Sequence, residues 1–145
     1  METIRVRAQF HTAHRQLGHP GKCRYPHGHT WRGEFVLRTE RFPRDAMDMS
    51  IDFGELKDIM KALDHKILIT ADDPDFTDPE RWDPAGVVVL PGRGPSVENV
   101  AYYCLAGILE VIRAHYPDQG LRYEVEVTIQ ETDNNFFSVA EEHVI

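Results

Sequence analysis

The sequence predicts an α+β fold, an antiparallel four-stranded sheet with two helices on one face. Two observations carry this reading. Four segments alternate apolar and polar residues with the period of two that a half-buried strand requires, and two others repeat apolar residues at helical spacing. Their order is strand, strand, helix, helix, strand, strand, which suits an antiparallel sheet covered on one side. At 145 residues, with neither repeat nor linker, the chain reads as a single domain spanning residues 1–145.

The first strand is expected at residues 4–14. Ile4, Val6, Ala8, Phe10, Thr12 and His14 share one parity there, with Arg5, Arg7, Gln9 and His11 on the other. The second is expected at 29–39, where His27, His29, Trp31, Gly33, Phe35 and Leu37 oppose Arg32, Glu34 and Arg38. The loop between them holds Gly18, Pro20, Gly21, Cys23 and Pro26. Asp52 opens the first helix, with Glu55 three residues on as capping-box partner and Leu56, Ile59, Met60 and Leu63 as its apolar stripe. Residues 72–86, acidic and proline-bearing, are expected to form an irregular excursion, and Val87 to Leu90 suit a short strand. Ser96 is the expected N-cap of the second helix, whose stripe runs through Val97, Val100, Ala101, Cys104, Ile108, Val111 and Ile112 until Pro117 stops it. Strands follow at 122–131 and 136–140. Edge strands on so small a sheet invite pairing with another subunit.

Composition narrows the function classes. A net charge of −8 argues against general nucleic-acid binding, which depends on neutralising phosphates. No apolar run approaches the roughly 20 residues of a membrane span. The chain opens directly on an alternating pattern in which no signal peptide is visible, and its two cysteines make no disulfide framework. A cytoplasmic protein is the expectation, with Cys104 in the core.

Phase is what singles out the chemistry. His14, His27 and His29 all fall on apolar faces near one strand end, an arrangement suited to three metal ligands with a fourth position open. Cys23 stands close by, either as a base or nucleophile with a lowered pKa or as a loop thiol without a task. Glu131 continues the inward parity of Tyr123, Val125, Val127 and Ile129, so it either meets a ligand with adjacent N–H donors or turns into solvent as the strand ends. Asp64 beside His65 either orients an imidazole or leaves His65 to cap the preceding helix. Arg15, Lys22 and Arg24 are candidates for a local positive field around an anionic substrate. His11, His19, His115 and His143 lack such support and read as surface or structural.

These pieces stand in a specific order. They are Phe10-His11-Thr12-Ala13-His14 with Leu17, Cys23-x-x-x-His27-Gly28-His29, Ile51-Asp52-Phe53, Leu63-Asp64-His65-Lys66, Pro95-Ser96-Val97-Glu98-Asn99 and Glu131-Thr132. Over nearly its whole length the chain thereby resembles the 6-pyruvoyltetrahydropterin and 6-carboxytetrahydropterin synthase family. The resemblance implies a T-fold whose subunits join their sheets into a barrel, usually as a homohexamer (a dimer of trimers). It makes His14, His27 and His29 zinc ligands and Cys23 the proton acceptor. Asp64 and His65 become relay partners from across a subunit interface, and Glu131 the carboxylate that grips a pterin ring with help from Ser96.

The short Cys-x-x-x-His-Gly-His spacing is similar to the 6-carboxytetrahydropterin synthases of queuosine and 7-deazapurine synthesis. These act on 7,8-dihydroneopterin triphosphate. Elimination of triphosphate to 6-pyruvoyltetrahydropterin would keep every residue role, and a non-catalytic pterin-binding zinc protein would need Glu131 without the Cys23, Asp64 and His65 set. Three departures from the family pattern stand out: Ser96 where threonine is commoner, Ile67-Leu68-Ile69-Thr70 without the usual asparagine, and a long excursion at 72–86.

Overall fold

The computed structural model describes all 145 residues. In chain order the elements are β1 (Glu2–His14), β2 (His27–Thr39), α1 (Phe53–Lys61), β3 (Lys66–Ile69), β4 (Val87–Val89), α2 (Val97–His115), β5 (Arg122–Thr132) and β6 (Asn135–Val144). They form one sheet in the order β4-β3-β1-β2-β5-β6. The four long strands are antiparallel as expected, and β3 and β4 extend the β1 edge in parallel. The sheet thus has six strands rather than four. After Lys66, β3 is an apolar run with no alternation to announce it, and only its pairing with Thr12, Ala13 and His14 makes it a strand.

The predicted parity becomes the core. Phe10, Trp31, Phe35 and Leu37 lie under Leu56, Met60 and Leu63 of the first helical segment and under Val100, Cys104, Ile108 and Ile112 of α2. Tyr123, Val125, Val127 and Ile129 of β5 complete the layer. Each such side chain contributes about 1.5–3 kcal/mol by leaving water. Trp31 is fully buried, stacks on Phe10 at 5.9 Å and donates its indole N–H to the Thr12 carbonyl at 3.1 Å. Cys104 is a core residue, and burial pushes its thiol up to about 12.

Both helices start at the expected caps. The Asp52 carboxylate accepts from the Gly54 amide at 2.7 Å, and the Ser96 hydroxyl accepts from the Asn99 amide at 3.3 Å. The capping box is not closed, because Glu55 turns to His115 at the end of α2, 2.9 Å away, and so clamps the two helices together. β6 runs past the expected 136–140 because β5 offers it partners as far as Arg122↔Val144. No helix is long and apolar enough to cross a membrane.

One core polar group is unsatisfied. Tyr123 is wholly buried between Phe42 and Tyr116, its hydroxyl has no hydrogen-bond partner, and burial pushes its phenol up to about 12. Removing that oxygen removes a desolvated, unpaired group. Tyr123→Phe is therefore expected to raise stability by about 1 kcal/mol, read as a higher midpoint in urea unfolding. A lower midpoint would mean that the hydroxyl has a partner in solution.

Candidate metal centre

The centre is built where β1 ends and β2 begins. Antiparallel pairing sets His14 directly opposite His27 and Thr12 opposite His29, so shared parity turns all three imidazoles to one face. One ligand atom from each lies within 4.8 Å of the others, and the ring centroids are 4.6, 4.9 and 5.2 Å apart. Trp31 lies edge-on to His14 and His29 at 5.1 and 5.6 Å and floors the cluster with apolar surface.

Backbone carbonyls set the tautomers. His14 Nδ1 lies 2.7 Å from the Pro95 carbonyl, and His27 Nδ1 lies 2.7 Å from that of Tyr25. A carbonyl only accepts, so each Nδ1 carries the proton and each Nε2 presents a lone pair. The Nε2 atoms of His14 and His29 are buried without hydrogen bonds. Burial, and after it the neighbouring imidazoles, holds His29 below its ordinary pKa against the opposing pull of Glu131, which favours the neutral ligand form. Oriented imidazole nitrogens, two of them buried without a partner, are what a divalent ion such as zinc requires.

Glu131 does not turn into solvent. β5 continues through Thr132 with a register shift between Gln130 and Thr132, and the Glu131 Oε1 atom lies 3.2 Å from His14 Nε2 and 3.6 Å from His29 Nε2. Ser96 sits next to Pro95, whose carbonyl orients His14, so the start of α2 forms part of the wall.

Cys23 and the Asp64–His65 pair are not joined within one chain. Cys23 is half-buried in a short 3-10 turn, its carbonyl bonded to the Gln16 amide at 2.8 Å. Asp64 Oδ2 meets His65 Nδ1 at 2.8 Å, so the pair itself is formed. His11 anchors it from both sides. Its amide donates to Asp64 Oδ1 at 2.7 Å, and its carbonyl accepts from the His65 amide at 2.7 Å. The α1 helix ends at Lys61 with Ala62 as cap, so His65 is no helix cap; it holds a left-handed φ of 56° with its side chain 80% exposed. Its anchor, His11, has the opposite β1 parity to His14.

The sequence model of the 6-pyruvoyl tetrahydropterin synthase family matches residues 3–142. The chain belongs to this family. Curated relatives include the 6-carboxy-5,6,7,8-tetrahydropterin synthase of Rickettsia felis, 29% identical over 66% of this chain and 71% of that protein. The enzyme of the same name from Rickettsia typhi is 26% identical over 92% of this chain and 96% of its own. Among solved structures, a 6-pyruvoyltetrahydropterin synthase from Plasmodium vivax, a catalytic-residue mutant, superposes with a TM-score of 0.67 at 20% identity, covering 99% of this chain and 100% of that one. The Caenorhabditis elegans 6-pyruvoyl tetrahydropterin synthase gives a TM-score of 0.54 at 23% identity, over 97% and 95%. These structural likenesses carry the fold, which is that of the synthase family.

The excursion after β3 is tightly built and takes up Arg15, one of the three cations expected to supply a local field. Arg15 Nε donates to Asp73 Oδ2 at 3.0 Å, and its Nη2 donates to Asp73 Oδ1 at 2.7 Å and to Asp75 at 2.8 Å. Its guanidinium also lies 4.9 Å from the centre of the Phe76 ring. Arg24 is spent on the Pro20 and Gly21 carbonyls and the Tyr25 hydroxyl. Of the three cations only Lys22 makes no ion pair or side-chain hydrogen bond. The reason is that Asp73 is only 3% exposed, and a carboxylate so buried requires a cation. Among the remaining histidines, His11 meets the Thr30 hydroxyl at 3.2 Å, His19 the Gly21 amide at 2.9 Å and His143 the Glu141 carboxylate at 3.0 Å.

Burial alone would push the Asp73 carboxyl up, but Arg15 and the Phe76 and Asp75 amides hold it below the ordinary range. A depressed carboxyl contributes stability that is present above its unfolded pKa and lost as pH falls through the folded value. The amides of Asp75 and Phe76 are therefore expected to lose hydrogen-exchange protection as pH falls below the usual aspartate range, ahead of the strand amides. Asp73→Ala, which leaves Arg15 only its bond to Asp75, should cost about 2 kcal/mol in urea unfolding. A loss of a few tenths would show the clamp to be solvated.

Proposed function

We propose that this protein is a zinc-dependent carbon–carbon lyase that converts 7,8-dihydroneopterin triphosphate to 6-carboxytetrahydropterin, acetaldehyde and triphosphate, in queuosine or other 7-deazapurine synthesis. The observation that supports it is the set of three inward imidazoles whose tautomers are set by carbonyls and whose Nε2 atoms on His14 and His29 are buried without partners. The curated relatives named 6-carboxytetrahydropterin synthase favour this branch over the 6-pyruvoyl product.

Zinc held by His14, His27 and His29 would supply a Lewis acid for the substrate's side-chain oxygens. The protein's own groups do the rest. Cys23 accepts and returns protons at the side-chain carbons, with His65 as partner acid and base. Asp64 is kept ionised by the His11 amide and then by His65, and its Oδ2 orients the imidazole. Since His65 is exposed and unjoined to Cys23 in one chain, the pair serves the site of a neighbouring subunit in a homohexamer, a dimer of trimers. Glu131 grips the amidine-like edge of the pterin, with Ser96 assisting. Cleavage of C1′–C2′ leaves C1′ as the carboxyl and C2′–C3′ as acetaldehyde, and counting oxygens requires one water for the second carboxyl oxygen. The site of action is the cytoplasm.

Two measurements test this. Zinc-loaded protein given 7,8-dihydroneopterin triphosphate should release acetaldehyde in equal amount with 6-carboxytetrahydropterin; 6-pyruvoyltetrahydropterin without acetaldehyde would assign the eliminating reaction instead, and no product would sink both. Cys23→Ala should keep its zinc and lose about 10²–10⁴-fold in kcat. Loss of zinc from that variant would make Cys23 a ligand and undo its assigned role.

A further inference from the structure

A tetrahedral ion held by three imidazoles has one position left. In such a shell, with bonds of about 2.0 Å, neighbouring donor atoms stand about 3.3 Å apart. The Glu131 Oε1 atom lies 3.2 and 3.6 Å from the Nε2 atoms of His14 and His29, close to that spacing for two of the three rings, and it makes no such contact with His27. Neither nitrogen is hydrogen-bonded, so the contact is no ordinary ring-to-carboxylate hydrogen bond. The carboxylate in turn meets no group besides these two rings. Its direction is set by the register shift between Gln130 and Thr132, which re-aims a side chain at the end of β5.

We propose that Glu131 is a displaceable fourth ligand of the metal, closing the open position from the His14–His29 side until substrate oxygens replace it. The released carboxylate then meets the pterin ring, so metal ligation and ring recognition share one group in succession. This rests on the zinc site proposed above and adds a second state for Glu131. A carboxylate beside three neutral imidazoles also offsets one of the two charges on the ion in the resting site. Ground-state ligation of this kind opposes substrate entry, and only a substrate that offers both metal-binding oxygens and an amidine-like edge compensates for both losses.

The test reads metal, not turnover. Zinc affinity is measured by competition with a chromophoric chelator, and ligand geometry by the visible absorption of the cobalt(II) form, in unaltered protein, Glu131→Gln and Glu131→Asp. The aspartate keeps the charge but withdraws it by one methylene. Both variants are expected to bind zinc about tenfold or more weakly and to give an altered cobalt spectrum. Adding 7,8-dihydroneopterin should move the unaltered spectrum and leave those of the variants little changed. Unchanged affinity and spectra in two folded variants, with weaker pterin binding alone, would overturn the proposal and leave Glu131 a ring ligand only. Failure of the unaltered protein to bind zinc or cobalt would overturn the zinc reading itself, a different result seen in a different sample.

Discussion

The register between β1 and β2 is the constraint on which everything else depends. It runs unbroken from Glu2↔Thr39 to His14↔His27, and period two turns that one alignment into both a core and a cluster of three histidines. Trp31 and Phe10 bury beneath the helices because they share a parity with the histidines. Slipping either strand by one residue would send its histidines to the solvent face together with its apolar residues. The core therefore guards the site, since the free energy that holds Phe35 and Leu37 inward also holds the imidazoles in line.

Pairing brings the rings together but does not orient them. That falls to two carbonyls from outside the sheet, Pro95 at the start of α2 and Tyr25 in the loop before β2. Carbonyls suit this role because their direction is set by the fold and they can only accept, so the proton stays on Nδ1. The same device recurs on the other parity of β1, where the His11 amide and carbonyl hold Asp64 and His65. One strand thus presents two chemical groups to opposite sides. A single chain holds both the histidine triad and an Asp–His pair without joining them.

Charge is managed locally rather than by the net balance. The excursion between β3 and β4 carries several carboxylates, and its buried Asp73 takes up Arg15, the residue next to His14. What reads in the sequence as a cation available to a substrate is the anchor of a loop. The effect is to fix the chain just beyond His14, so that the end of β1 is tied down on the loop side by Asp73 and on the helix side by Pro95.

Much of this was legible in the chain alone. Parity identified the inward faces of the first two strands and of β5, the spacing of Leu56, Met60 and Leu63 placed the first helix, and Asp52 and Ser96 marked both helix starts; these features are local, set by neighbours within a few residues. The triad was readable for the same reason, since its three members lie on segments whose period was clear. Other features depend on partners far along the chain. β3 became a strand only through β1, Glu55 left its capping box for His115 sixty residues away, and Arg15 met Asp73 across a similar gap. Glu131 stood undecided between solvent and interior until a register shift aimed it at His14 and His29. The sequence by itself determined which residues face inward, because periodicity is a property of the backbone; tertiary structure decided which of them meet, because contact depends on how the chain returns on itself.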